Sequence, residues 1–207
     1  MGLMKKYFNN TRKPEGFSGK MMIFGMNVGH ASVSKWGLSC LPKLEPEAIL
    51  ELGCGGGKNV QRLLKMYPEA SVTALDYSEV SVQKTEQCNQ AAISAGKCQV
   101  LQGDVSDLPF PDQCFDLATA FETIYFWPGP LESFRQVYRV LKPSGRFMIC
   151  NESDGVGNKD DKWVEMIDGM HVYNKEQLRE ILKQAGFSTV VSHHDQKKHR
   201  LCLVAQK

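Results

Sequence analysis

One segment restricts this chain more than any other: the apolar run Ile49-Leu50-Glu51-Leu52, which ends on Gly53-Cys54-Gly55-Gly56-Gly57 and passes at once into a helix-forming stretch from Lys58. Glycines let a backbone turn sharply and come close to a ligand, and the unpaired N–H groups that open a helix favour a polar or anionic group beside them. A nucleotide-like ligand fits such a turn. The spacing Gly53, Gly55, Gly57 puts Lys58 where a GxGxxG fingerprint would carry its third glycine, which weakens a pyrophosphate reading.

From about residue 47 onward, short β-like runs alternate with longer helical patterns, the signature of repeated βα units and hence of a largely parallel sheet covered by helices. Strands are expected at Ala48 to Leu52, Ser71 to Leu75, around Val100 and Leu101, at Phe115 to Phe121 and at Arg146 to Cys150. The helix from Lys58 carries Val60, Leu63, Leu64 and Tyr67 on one face before Pro68. A second runs from an N-cap at Ser78 to Ala95, with Gly96 as its stop. Pro128 and Pro130 open a third, and Lys142-Pro143-Ser144-Gly145 reads as a turn. Residues 153 to 172 are polar and glycine-interrupted, with a short helix around Trp163 to Ile167. A helix from Lys175 to Ala185 precedes strands at Ser188 to Ser192 and Arg200 to Ala205. Only the stretch HHDQKKH joins these two strands, so they must pair antiparallel.

Residues 1 to 44 are expected to form a helical cap over the carboxyl edge of the sheet, and residues 45 to 207 the sheet domain. Met21, Met22, Phe24, Met26, Val33, Trp36 and Leu38 of the cap either pack into the core or line an apolar pocket.

Net charge is +2, from 25 basic and 23 acidic side chains, so no overall field favours nucleic acid or an anionic membrane. No stretch is long and apolar enough to span a bilayer, and MGLMKKYFNN lacks a signal peptide's apolar core. The seven cysteines are scattered and never form a CxxC pair, which points to a reducing cytoplasm and away from a disulfide framework or a zinc site. His193, His194 and His199 read as a solvated hairpin, because neighbours in a strand face opposite ways. No metal is expected.

Two aspartates extend the glycine turn. Asp76 ends the second strand, nineteen residues after Gly57, where a carboxylate can accept hydrogen bonds from ribose hydroxyls. Asp104, in Gln102-Gly103-Asp104-Val105, can accept from an adenine amino group or cap its own loop as an Asx turn. Glu122 and Tyr125 beyond strand four, Glu152 beyond strand five, and His30 and His171 in the covering segments are candidate bases; for each histidine a purely structural role is the alternative.

The ELGCGGG segment, Asp76 in ALDYS, the GDVSDLPFPDQCFD stretch and the LKPSGRF turn, in this order and at these separations, resemble class I S-adenosylmethionine-dependent methyltransferases, most of all the methyltransferase type 11 group, over roughly residues 45 to 150. The resemblance implies an α/β fold with a doubly wound, mostly parallel seven-stranded Rossmann-like sheet ending in an antiparallel hairpin. It also implies S-adenosyl-L-methionine as cofactor. Glu51, Gly53, Cys54 and Gly55 would face its methionine part, Asp76 would hold the ribose and Tyr77 would stack on adenine. Asp104 and Val105 would read the adenine edge, and Phe121 would close the site. Nucleic-acid or protein-amide methylation usually carries an Asn/Asp-Pro-Pro-Tyr segment after strand four; Phe121-Glu122-Thr123-Ile124-Tyr125-Phe126-Trp127 stands there instead. A small, partly apolar acceptor is expected. A nicotinamide-dependent oxidoreductase and a non-catalytic cofactor-binding module are the competing readings, and oligomeric state is not legible.

Overall fold

The computed structural model describes Phe8, Thr11, Arg12, Pro14 and residues 16–207, the side chains of residues 17, 18, 20, 24 and 26–28 excepted. Among them, α1 (Gly16–Gly29) and α2 (Ala31–Ser39) precede a regular alternation. It runs β1 (Ala48–Leu52), α3 (Lys58–Met66), β2 (Ser71–Asp76), α4 (Glu79–Ser94), β3 (Cys98–Gln102) and β4 (Phe115–Phe121). After a 3₁₀ turn (Ile124–Phe126) come α5 (Pro130–Val140), β5 (Leu141–Asn151), α6 (Asp161–Met166), α7 (Lys175–Gln184), β6 (Thr189–Asp195) and β7 (Arg200–Gln206). The strands form one seven-stranded sheet in the order β3-β2-β1-β4-β5-β7-β6. The pairs from β3 to β5 are parallel, while β7 runs antiparallel to both β5 and β6.

The central strands are buried on both faces because each face is covered by helices. On one face Phe134 and Val137 of α5 and Leu178 and Leu182 of α7 pack with Leu50, Leu52, Phe147 and Ile149. On the other, Val33 and Leu38 of α2 and Val60 and Leu63 of α3 pack with Ile49, Leu117, Met148 and Cys150. Each such side chain removed from water contributes about 1.5–3 kcal/mol before chain entropy is counted. Val33 and Leu38 therefore belong to the core, and Met21 is 57% exposed. The side chains of Phe24 and Met26 lie outside the described residues.

Local chemistry sets the boundaries. Ser78 caps α4, its side chain accepting from Ser81 N, and Asn174 and Gln177 form a reciprocal capping box at α7. Within α4, Asn89 leaves helical geometry (φ −118°), and its amide donates to Thr85 O (2.9 Å) and to Gly57 O (3.2 Å). A side chain inserted into the hydrogen-bond ladder is a known cause of such a kink. Here it ties the helix to the glycine turn.

Two expectations need correction. Strand β5 begins at Leu141, directly after α5, rather than at Arg146: Phe115 pairs with Leu141 and Leu117 with Arg146, so 142–145 is a bulge within the strand, with Ser144 at φ +64°. Asp116 anchors it, one carboxylate oxygen accepting from Glu47 N (3.0 Å), Ala48 N (2.9 Å) and Lys142 Nζ (3.0 Å). The histidine-rich stretch forms the expected hairpin, but it is not solvated throughout. His193 to Asp195 continue β6, His194 Nε2 lies 2.8 Å from Asp154 Oδ2, and His199 Nδ1 lies 3.2 Å from the same oxygen. Asp154 is buried, and His194 at 2.8 Å together with Val156 N, which donates to Oδ1 at 3.1 Å, supplies the hydrogen bonds that a buried carboxylate requires.

Candidate active site

Successive strand ends deliver the site. Gly53 follows β1, Asp76 ends β2, Asp104 follows β3, Glu122 follows β4 and Glu152 follows β5. The order of the sheet reverses between β1 and β4. Open α/β sheets bind ligands at the carboxyl edge beside such a reversal. A cavity of about 610 Å³ opens there, and its wall includes Gly53 to Gly56, Asp76, Tyr77, Asp104, Val105, Phe121 and Glu122.

The glycine turn is held from two sides. Gly53 N and Cys54 N donate to Leu75 O at 2.8 and 3.2 Å, and Gly55 N donates to Asp76 Oδ2 at 2.9 Å. Gly53 has φ +72°, and a Cβ there would lie 2.2 Å from Thr123 Oγ1, so only glycine fits without displacement. Gly55 (φ +53°) would present its Cβ to open space. Thr85 Oγ1 donates to Gly55 O (3.0 Å), which fixes the turn from α4.

Asp76 is buried and its second oxygen accepts from Ser78 N at 2.9 Å. Burial pushes its pKa up, against the pull of the N–H groups of Ser78, Gly55 and Tyr77. A carboxylate oxygen has two lone pairs, so each retains capacity for a ligand hydroxyl. Tyr77 lines the cavity, and its hydroxyl donates to Arg12 O; burial and the nearby charge of Asp76 push the phenol up to about 12. Asp104 satisfies both of its readings: Oδ1 accepts from Ser106 N (2.8 Å) and Ser106 Oγ (2.7 Å), an Asx turn, while the residue lines the cavity beside Val105.

Glu51 and Tyr125 are placed differently from the other candidates. Glu51 is fully buried beneath the turn and absent from the cavity wall; Oε2 accepts from Thr119 Oγ1, while Oε1 has no hydrogen-bond partner. Burial pushes its pKa up to about 8, against Thr119, Asn59 and Arg62. Tyr125 is buried behind Glu122. Its hydroxyl donates to Glu122 Oε2 and accepts from Ser153 N, each at 3.3 Å, so it positions the carboxylate rather than lining the cavity.

His30, Glu122 and Glu152 converge. Glu122 has a left-handed backbone (φ +58°), which costs a non-glycine residue about 1–3 kcal/mol. That conformation lets Oε1 accept from Glu152 N, and His30 Nε2 lies 3.5 Å from Glu152 Oε1. Burial, followed by the charge of Glu152, pushes Glu122 up to about 8 although His30 opposes it. Burial lowers the His30 pKa, but Glu152 and Glu122 outweigh it and the net shift is upward. The hydrogen bond to His30 holds Glu152 below the ordinary carboxylate range. His30 and His171 line the cavity, as does Trp127 of the aromatic run after strand four; so do Ile23, Ser34 and Tyr173, which sequence patterns did not single out.

The methyltransferase-domain family model matches residues 50–149. Over that stretch the chain matches a methyltransferase domain, and its fold is similar to that of the class I S-adenosylmethionine-dependent methyltransferases, whose cofactor is S-adenosylmethionine. The chain is 29% identical to cycloartenol-C-24-methyltransferase 1 of Oryza sativa subsp. japonica over 153 residues, covering 69% of this chain and 44% of that protein. It is 30% identical to the demethylmenaquinone methyltransferase of Chlamydia muridarum over 132 residues, covering 63% and 53%. The chain thus spans about half the length of these curated relatives. Among solved structures, a chain in the complex between the Haloferax volcanii Trm112 methyltransferase activator and a methyltransferase superposes with a TM-score of 0.79 at 21% identity, covering 100% and 98%. A S-adenosylmethionine-dependent methyltransferase from Aquifex aeolicus gives 0.72 at 18% identity, covering 99% of both chains.

The residues present fit that cofactor. The turn opens at Gly55 where a side chain would intrude, two aspartates and a tyrosine stand at the next two strand ends, and the orphaned Glu51 Oε1 lies beneath. Lys58 occupies the place of a dinucleotide-binding glycine and lines the cavity.

Proposed function

We propose that the protein transfers a methyl group from S-adenosylmethionine to a small, partly apolar molecule. The observation that carries this reading is the single cavity shared by the glycine turn, Asp76, Asp104 and Glu122. In this reading the backbone of Gly53 to Gly55 receives the methionine part of the cofactor, with Cys54 packed behind it and Glu51 supporting the turn from below. Asp76 accepts from the ribose hydroxyls, Tyr77 stacks on adenine, and Asp104 and Val105 meet its edge. Phe121 closes the site in this reading, and Phe126 and Trp127 also line the cavity. The bound cofactor supplies an activated methyl group.

The chain's own residues then have to orient the acceptor, exclude water and take any proton that must leave. Orientation alone can be worth roughly 7–11 kcal/mol at best. Glu122 is the proton acceptor in this reading, positioned by Tyr125 and by the His30–Glu152 pair. Residues 1 to 44 act as the cap: Thr11, Arg12, Pro14, Ile23, His30 and Ser34 contribute to the wall, which supports that role. No helix among the described residues is long and apolar enough to cross a membrane. The seven free thiols support a reducing, cytoplasmic setting. Methyl transfer from labelled S-adenosylmethionine to a metabolite library tests the reading. A melting temperature raised by NADH and not by S-adenosylmethionine would replace it with the oxidoreductase.

A further inference from the structure

The end of the cavity formed by β4 and β5 has a distinct chemistry. Glu122 lines it, Glu152 stands behind with its backbone N–H bound to Glu122, and Phe126, Trp127, His171 and Tyr173 contribute to the same wall. The cavity's lining includes three cationic side chains: Lys58 and Arg62 belong to α3, while the Arg12 guanidinium donates to Asp168 O (3.3 Å) at the margin of the segment that carries His171. The charged groups acting on Glu122 are His30 and Glu152, and Glu152 itself also feels Arg200 and Lys159. A carboxylate in a cavity that aromatic side chains also line matches a cationic ligand head: ring quadrupoles attract cations, and a partly desolvated carboxylate makes a charge-assisted hydrogen bond to an N–H donor. A phenol or alcohol would leave this second negative group unexplained.

We propose that the acceptor is an amine, recognised as its ammonium by Glu122 and the aromatic wall, and that Glu122 takes the ammonium proton before transfer. This rests on the methyltransferase reading above. The proton passes from nitrogen to a Glu122 oxygen, which frees the nitrogen lone pair. That pair forms the N–CH₃ bond as the S–CH₃ bond breaks, and the bonding electrons go to sulfur. The sulfonium charge ends on the N-methylammonium product and no redox partner is required. Burial makes Glu122 a stronger base than an ordinary carboxylate, and a bound ammonium, as the opposite charge beside it, favours the ionised form that then receives its proton. Tyr125 and the His30–Glu152 pair are positioning residues.

The test is calorimetry on the full chain. S-adenosylhomocysteine is titrated first; failure to bind would defeat the methyltransferase reading itself. The complex is then titrated with benzylamine, 2-phenylethylamine and tryptamine and with the matching alcohols. The inference expects at least one amine to bind at least tenfold more tightly than its alcohol. Glu122→Gln should abolish that preference while binding S-adenosylhomocysteine within threefold of wild type, and Glu152→Gln should reduce the preference without abolishing it. The wild-type comparison stands even if Glu122→Gln fails to fold. Binding of the product with no amine preference overturns the inference and leaves the parent reading intact. Ligand atoms of His30, Glu122 and Glu152 lie within 4.8 Å of one another, so a shared divalent ion is the rival. Acceptor binding that requires added Mg²⁺ or Mn²⁺ and disappears with EDTA overturns the ammonium assignment.

Discussion

Gly53→Ala tests the architecture of the turn most sharply, because two separate penalties fall on one methyl group. The backbone there is left-handed at φ +72°, and an L-residue in that region costs roughly 1–2 kcal/mol. The new Cβ would lie 2.2 Å from Thr123 Oγ1 and 2.7 Å from Thr123 Cβ, so the threonine must move. Thr123 Oγ1 accepts from Trp127 Nε1 at 3.2 Å, and losing that bond adds about 0.5–1.5 kcal/mol. Together these predict a loss of about 1.5–3.5 kcal/mol, a fall in Tm of roughly 3–14 °C for a chain of this size. Gly55→Ala meets only the backbone penalty, because its Cβ would touch nothing within 4 Å. It should therefore melt closer to wild type and yet lose more affinity for S-adenosylhomocysteine, its methyl group projecting where the ligand is to lie. Scanning calorimetry with and without S-adenosylhomocysteine measures both quantities. A Gly53→Ala melting point within 1 °C of wild type, or a Gly55→Ala variant less stable than Gly53→Ala, would refute the reasoning.

Three further outcomes are expected. Asp76→Ala removes the acceptor for both Gly55 N and Ser78 N and the ribose partner, so S-adenosylhomocysteine affinity should fall at least tenfold, about 1.4 kcal/mol or more; a change within threefold contradicts the ribose assignment. Glu51 is raised to about 8 in the folded state, so its contribution to stability is fully present below the ordinary carboxylate range and is lost as pH rises toward 8. At about 1.4 kcal/mol per unit, Glu51→Gln should match wild type near pH 5 and exceed it by at least about 1 kcal/mol at pH 8.5; denaturant unfolding at the two pH values decides. Asp116 is shifted the other way, with Lys142, Ala48 N and Glu47 N outweighing its partial burial. Its contribution is present above the ordinary carboxylate range and lost as pH falls through the lowered value. The pair is partly exposed, so Asp116→Asn should cost only about 1 kcal/mol at pH 7, and the difference from wild type should vanish in acid.

Much of the sheet was legible because its strands are buried on both faces and bounded by glycine, proline or capping residues. β1 and β4 fall at the residues their apolar runs indicate, and Ser78 and Gly96 bracket α4. The bulge at 142–145 was missed because a Pro-Ser-Gly sequence reads as a turn, whereas pairing of Leu141 with Phe115 and the anchor at Asp116 draw it into the strand. The approach of His194 and His199 to Asp154 was missed because Asp154 lies 40 residues before His194. At the site, residues directly after strands were visible by position. Glu51 was assigned to the ligand, but alternation along β1 turns it beneath the glycine turn onto Thr119. Thr85, Asn89 and Thr123 escaped notice because a lone polar residue in a helix or loop carries no pattern until the fold brings it against the glycines.

Titration of the purified, ligand-free chain with S-adenosylmethionine and S-adenosylhomocysteine asks most directly whether the ends of β1, β2 and β3 form a single adenosyl site. One equivalent of either compound should bind and raise the melting temperature, and Asp76→Ala should weaken that binding. No heat and no thermal shift with both compounds at millimolar concentration would contradict the account.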